Sequence, residues 1–296
     1  MESKFLQLLQ EGKCLVADGA TGTNLQQRGL ARGMPGEVWV LEHPEQILQL
    51  HKDFIAAGAD IILTCSFGGT SVRLEHAGLA DRAGEVNRRA AQLARQAAEG
   101  TSVLVAGSMG PTGQLLKPLG PLEEQVAQEA FAAQAQALAE GGVDLLLIET
   151  QFDLTEAAIA VRAVLSVTSL PVVVSFSYDR GTRTMMGVRP AQMAKEMESL
   201  GVAALGINCG RSLEDNFKAL QELRNVASLP IWFKPNAGLP TLDADGQPTY
   251  TITPEQMAAE VPSWLAAGAQ IVGGCCGTSP EHLAAIAQAV KRVSPR

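Results

Sequence analysis

The sequence predicts a closed (β/α)8 barrel, and three observations carry that prediction. Eight short apolar runs recur along the 296 residues, each followed by a turn rich in Gly, Ser or Thr and then by a longer stretch with helical spacing. The runs are continuously apolar, as strands of a parallel sheet covered on its outer face are. Eight such units in a chain of this length match the usual size of the closed barrel. The rival, an open doubly wound sheet, would want a GxGxxG turn after one strand, and "DGATGTNLQQRG" (18–29) lacks that spacing.

In chain order the predicted strands are "CLVADG" (14–19), "DIILTC" (60–65), "VLVAGS" (103–108), "DLLLIE" (144–149), "VVVSFS" (172–177), "AALGIN" (203–208), "IWFKPN" (231–236) and "QIVGGC" (270–275). Helical spacing fills the intervals, most clearly in 45–58, 122–142, 190–201 and 254–268, several of which open on Pro and close on Gly. The phrases "AAGAD", "EGGVD", "LGVAA" and "AAGAQ" stand just before strands, where Gly can adopt the left-handed conformation that ends a helix. The start, "MESKFLQLLQEG", reads as a short amphipathic helix with neither a secretory nor a membrane-spanning pattern. No Pro- or Ser-rich linker divides the chain, so one domain over 1–296 is expected, with "GLPTLDADGQPTY" (238–250) as a surface excursion after the seventh strand.

A net charge of −8 leaves no basic stripe to neutralise phosphates, which excludes nucleic acid and anionic membranes as main partners and favours a small molecule. Five scattered cysteines suit a reducing cytoplasm and point to metal or thiol chemistry, not a disulfide framework.

In a barrel of this kind the chemistry sits where the strands end. Those ends are Asp18 with Gly19 and Ala20; Thr64, Cys65 and Ser66; Glu149 and Thr150; Asn208, Cys209 and Gly210; and the pair Cys275 and Cys276. Three cysteines without a histidine partner make a poor hydrolytic triad but a good zinc site, and three protein ligands leave the fourth tetrahedral position open, as catalytic zinc requires. Successive residues of a regular strand face opposite ways, so Cys275 and Cys276 can share one ion only if the strand breaks there, and Gly273, Gly274 and Gly277 permit a break. A disulfide between neighbours would be strained, and a structural zinc would want a fourth protein ligand. Cys14 reads as a small buried hydrophobe and Cys65 as a pocket-lining residue. Two acids, Asp18 and Glu149, suit an ammonium group, although Asp18 alone could equally cap a helix. Backbone N–H groups at Gly19 and Ala20 could receive a carboxylate, so an amino acid fits both ends.

Together, "DGATGT" (18–23), "TCSFGGT" (64–70), "GPTG" (110–113), "IET" (148–150), "GINCG" (206–210), "PNAG" (235–238) and "GGCCGT" (273–278) resemble the homocysteine S-methyltransferase family over nearly the whole chain. Within it, "GPTGQLLKPLG" (110–120) and "GGCCGTSPEH" look most like the homocysteine-binding module of cobalamin-dependent methionine synthase. The resemblance implies a zinc barrel that methylates homocysteine to methionine, with Cys209, Cys275 and Cys276 as catalytic zinc ligands. It implies that Asp18 and Glu149 hold the substrate's amino group, that Thr64 and Ser66 with nearby amides contact its carboxylate, and that Asn208 lines the pocket. Cys65 and Ser108 depart from the family's pattern. The donor expected is methylcobalamin on a separate protein or a methylfolate-linked partner. S-Methylmethionine, S-adenosylmethionine, betaine, another thiol or selenol acceptor, and a non-catalytic zinc- or homocysteine-binding module stand as alternatives.

Overall fold

The computed structural model describes residues 3–242 and 248–293. Eight parallel strands alternate with helices: β1 (Leu15–Val16), β2 (Ile61–Leu63), β3 (Leu104–Met109), β4 (Leu145–Gln151), β5 (Val172–Phe176), β6 (Ala204–Cys209) and β7 (Ile231–Pro235), then, after a two-stranded hairpin of β8 (Thr241–Leu242) and β9 (Pro248–Thr249), β10 (Ala269–Val272). The sheet runs β1-β10-β7-β6-β5-β4-β3-β2, and a parallel bridge between Ala17 and Ile61 joins its two ends. The fold is a (β/α)8 barrel, as the strand count and apolar runs predict.

The helices form where period and end signals coincide. Helix Glu124–Glu140 buries Ala127, Ala130, Phe131, Gln134 and Leu138, a stripe at helical spacing that packs against the sheet. Helix Pro254–Ala266 starts with Pro at its first position and a capping box between Thr253 and Gln256. Gly58, Gly142, Gly201 and Gly268 all take positive φ just ahead of strands, as the recurring glycine phrases predict.

Two hydrophobic clusters result. The larger lies between the strands and the helices. The smaller fills the barrel interior with Leu15, Ala17, Ile61, Leu63, Leu104, Ala106, Leu145, Leu147, Val173, Ala204, Trp232 and Ile271, and Phe5 and Leu9 of the helix Lys4–Gln10 close its lower end. With the interior packed, the barrel opens at its upper mouth, at the carboxyl ends of the strands. Cys14 is half-buried and precedes β1 instead of lying within it. Of the excursion 238–250, residues 243–247 lie outside the described residues. Among the described residues, no helix is long and apolar enough to cross a membrane.

Candidate metal centre and substrate pocket

The alternation of strand side chains places the polar layer above the core. Leu145 and Leu147 of β4 belong to the inner cluster, and the next residue of that parity is Glu149; Trp232 of β7 is followed by Lys234, Leu104 and Ala106 of β3 by Ser108, and Ala204 of β6 by Asn208. Cys209 has the opposite parity. Its backbone takes φ 58°, the left-handed region, and so turns away from regular strand geometry. Thr150, just after Glu149, does the same at φ 59°, and the β4–β5 register shifts across this point. Such a conformation costs a non-glycine residue roughly 1–3 kcal/mol and persists only where neighbours hold it. Asn216 donates to the Cys209 carbonyl at 2.5 Å, and Asn236 donates to the Gly210 carbonyl at 2.8 Å.

Cys275 and Cys276 lie in the turn beyond β10, which ends at Val272, so the alternate-face constraint no longer applies to them. The turn is fixed from three sides: Cys275 N–H donates to Pro235 at 2.9 Å, Ala237 N–H to the Cys276 carbonyl at 2.9 Å, and Gly274 N–H to the Asp18 carbonyl at 3.2 Å. The glycines serve close packing more than a hinge. A Cβ on Gly273 would stand 2.4 Å from the Ala17 carbonyl, and one on Gly274 2.4 Å from Thr278; of the three glycines only Gly277, at φ +82°, needs the left-handed region.

The three sulfurs converge. Cys209 Sγ lies 3.1 Å from Cys275 Sγ and 3.8 Å from Cys276 Sγ, and all three fall within 4.8 Å of one another. A tetrahedral zinc at about 2.3 Å from each sulfur would space its ligands about 3.8 Å apart, so the cluster fits that ion after a small opening of the first pair. Asn236, beside it, keeps a buried Oδ1 that has no protein partner. The Cys209 thiol, hydrogen-bonded at 3.1 Å, with the neighbouring Cys276 thiol and the Lys234 ammonium, holds the Cys275 thiol well below its ordinary range, which favours its thiolate form.

The cluster forms one wall of a cavity of about 490 Å³. Glu149 is on that wall; its Oε1 accepts from Ser108 Oγ at 2.5 Å, and burial pushes its carboxyl up to about 7. Lys234 is also on the wall, only 2% exposed, with Nζ 2.7 Å from Asp18 Oδ1. Burial alone would lower the Lys234 ammonium, but the Asp18 and Glu149 carboxylates outweigh it and hold the group above the ordinary lysine range.

Four groups of residues expected at the pocket take the following places. Asp18 does not stand beside Glu149 as a second open carboxylate: Oδ1 accepts from Lys234, Oδ2 accepts from Leu63 N–H at 2.7 Å, and the residue is off the cavity wall as its lysine's counter-ion. Gly19 and Ala20 do line the cavity, but the Ala20 N–H is directed at the Thr278 carbonyl and hydroxyl, both at 3.2 Å. Thr64 and Ser66 line it too, with their hydroxyl protons spent: Ser66 Oγ donates to the Ser108 carbonyl at 2.7 Å, which leaves Thr64 Oγ1 to donate to Ser66 Oγ at 2.6 Å. Asn208 is 1% exposed and sits behind the wall, where it holds Thr150.

Lys234, Tyr250, Glu37 and Arg73 line the cavity as well and escape the sequence reading. The signal for Lys234 was present, because it follows the inward Trp232 by two positions. Tyr250 carries no such signal: it follows the hairpin, and its ring packs on the bare Cα of Gly277, where a Cβ would come within 2.2 Å of it.

Comparison with known proteins agrees with this geometry. The family model for homocysteine S-methyltransferase matches residues 15–290. A methionine synthase of Mycobacterium leprae is 33% identical over 98% of the chain, and one of Mycobacterium tuberculosis 31% identical over 99%; the chain spans 25% and 26% of their lengths. The metallated form of the homocysteine methyltransferase MmuM from Escherichia coli superposes with a TM-score of 0.81 at 28% identity, covering 95% of this chain and 98% of that one. A 3-dehydroquinate dehydratase from Geobacillus kaustophilus, at 14% identity and a TM-score of 0.53, shares the fold alone. With its barrel, its three converging cysteines and a family model matched from the first strand to the last helix, the chain belongs to the homocysteine S-methyltransferase family.

Proposed function

We propose that this chain transfers a methyl group to the sulfur of homocysteine, forming methionine, with zinc held by Cys209, Cys275 and Cys276. The observation that carries the reading is the meeting of three thiol sulfurs on the wall of a cavity that also presents Glu149 and Lys234. Zinc bound there would keep the substrate sulfur deprotonated at neutral pH, where a free thiol is mostly protonated. Three thiolates give such a site a net charge of about −1, so a fourth sulfur is held weakly enough to remain nucleophilic.

The protein's own residues bind and orient. Glu149 accepts the substrate ammonium, whose charge favours the ionised carboxylate. Ser108 and Asn208 fix that carboxylate from behind, and the turn 64–67 shapes the adjacent wall. The sulfur lone pair forms the new S–CH3 bond while the bond between methyl and donor breaks, its electron pair staying with the donor. Position and exclusion of water supply most of the acceleration in this reading, and no general base is needed.

For the donor, the first reading is a methylcorrinoid or methylfolate-linked partner, supported by the motif resemblance in 110–120 and by the likeness to methionine synthases, of which this chain spans a quarter. S-Methylmethionine, S-adenosylmethionine or another small donor is the second reading, supported by the near-complete overlap with MmuM. A panel tests both: zinc-loaded protein with homocysteine and, in turn, methylcobalamin, S-methylmethionine, S-adenosylmethionine and betaine, with methionine quantified. Product with one donor identifies it; bound zinc with no product from any donor would refute the enzymatic reading.

A further inference from the structure

Glu37 and Arg73 line the cavity together with Phe67 and Gly68, in the segments that follow β1 and β2. Round the closed sheet, β2 and β6 lie four strands apart in either direction, so Arg73 follows the strand opposite the one that ends in Cys209. One glycine brings the two charges together. The Gly68 N–H donates to Glu37 Oε1 at 2.5 Å, and a Cβ built on Gly68 would stand 3.3 Å from that oxygen and 3.2 Å from Arg73 Nε. Arg73 is steadied by the Pro111 carbonyl, which accepts from its Nη1 at 3.0 Å, and by the Phe67 ring, whose centre lies 4.9 Å from its Cζ.

Glu37 is 5% exposed and Arg73 half-buried, yet among the described residues no ion pair joins them to each other or to a third side chain. Gly68 uses one acceptor position of the carboxylate, and Pro111 uses one of the five N–H donors of the guanidinium. A buried anion beside a half-buried cation, both facing a cavity, matches a ligand that carries the two opposite charges on one carbon. The cavity, about 490 Å³, is also larger than homocysteine needs with its eight non-hydrogen atoms, so a second reactant fits beside it.

We propose that Glu37 and Arg73 bind the head group of the methyl donor, an α-amino acid that carries a methylsulfonium, with Arg73 on its carboxylate and Glu37 on its ammonium. This rests on homocysteine as the acceptor, and it selects a small donor over a protein-borne one. Two methylenes separate the donor's α-carbon from its sulfonium, so the methyl group is presented towards the metal end from the opposite wall. The homocysteine thiolate forms the new S–CH3 bond while the donor's S–CH3 bond breaks; the electron pair stays on the donor sulfur, which leaves as a neutral thioether.

S-Methylmethionine and S-adenosylmethionine are the two sources of that chemistry, and steady-state KM values at saturating homocysteine tell them apart. Arg73→Met should raise the KM of the active donor about tenfold to a hundredfold and leave homocysteine binding to the zinc-loaded protein within about twofold, and Arg73→Lys should recover part of the loss. Calorimetry on the zinc-loaded, homocysteine-saturated protein then reads each charge with unreactive mimics: 2-amino-5-methylhexanoate, 4-methylpentan-1-amine, which lacks the carboxylate, and 5-methylhexanoate, which lacks the ammonium. Arg73→Met should weaken the first and third only. Glu37→Gln, which keeps an acceptor for the Gly68 N–H, should weaken the first and second only. Equal weakening of all three mimics by Arg73→Met would overturn the assignment in favour of an arginine that merely holds the loop at Pro111, and so would an unchanged donor KM. Methionine formed with methylcobalamin but with neither sulfonium would overturn it and leave the acceptor reading standing. If the unsubstituted protein binds no homocysteine, the acceptor reading itself fails and this proposal with it.

Discussion

Asn208 clamps Thr150 from two directions: its Oδ1 accepts from the Thr150 N–H at 2.9 Å, and its Nδ2 donates to Thr150 Oγ1 at 2.7 Å. The same Oδ1 accepts from Ser175 Oγ at 2.7 Å, and Nδ2 lies 3.5 Å from Glu149 Oε2. One buried amide thus holds the left-handed residue next to Glu149 and steadies the carboxylate itself. Asn208→Ala leaves these groups unpaired and is expected to destabilise the fold by about 2–3 kcal/mol, lowering Tm by roughly 5–10 °C. Thermal unfolding followed by circular dichroism checks the shift, and an unchanged Tm would show that Thr150 needs no clamp.

Removing one sulfur should empty the metal site without unfolding the barrel. Cys276→Ser is expected to retain less than about a tenth of the bound zinc after dialysis, because a two-thiolate remainder binds the ion far more weakly. Metal analysis beside far-ultraviolet circular dichroism gives the answer. Full zinc retention would remove Cys276 from the ligand set.

Glu149 gives a pH signature in the metal-free protein. Its carboxyl is raised from 4.5 to about 7 by burial, so the folded state holds that proton more tightly than the unfolded chain does. The stability from this group is fully present below pH 4.5 and is lost as the pH rises to about 7. Glu149→Gln does not titrate, so its stability should gain on the parent protein across that window, by up to about 3 kcal/mol, and the gap should stay constant above it. Urea unfolding at pH 4.5, 6 and 8 measures the gap; no change across the three would contradict the buried-carboxylate assignment.

Gly277 packs beneath the Tyr250 ring and has φ +82°. Gly277→Ala brings both a left-handed alanine and a methyl group into the ring, so the turn bearing Cys275 and Cys276 must shift. Zinc affinity should fall at least about tenfold while the helical signal of the barrel persists. Competition with a chromophoric chelator reports the affinity.

The barrel is legible because apolar strand runs and glycine stops repeat eight times, and the cysteine trio because soft ligands at strand ends admit few other uses. Parity would also have found Lys234, two positions beyond the inward Trp232. What sequence could not give is how each polar atom is already spent. Asp18 and Glu149 look alike at two strand ends, yet one is neutralised by a lysine brought 216 positions across the chain and the other stays open to the cavity. The hydroxyls of Thr64 and Ser66 look like donors until their geometry shows both protons committed to an internal chain. Cys209 hides its positive φ, because nothing local marks a cysteine for the left-handed region; tertiary bonds from Asn216 and the fit of the metal turn impose it.

The most direct test of the account is zinc K-edge X-ray absorption on the zinc-loaded protein before and after addition of homocysteine, which needs no methyl donor. The account predicts three sulfur neighbours at about 2.3 Å in the free protein, one each from Cys209, Cys275 and Cys276, and a fourth on addition of the thiol. A sulfur count that does not rise with homocysteine, or fewer than three sulfurs at the start, would contradict it.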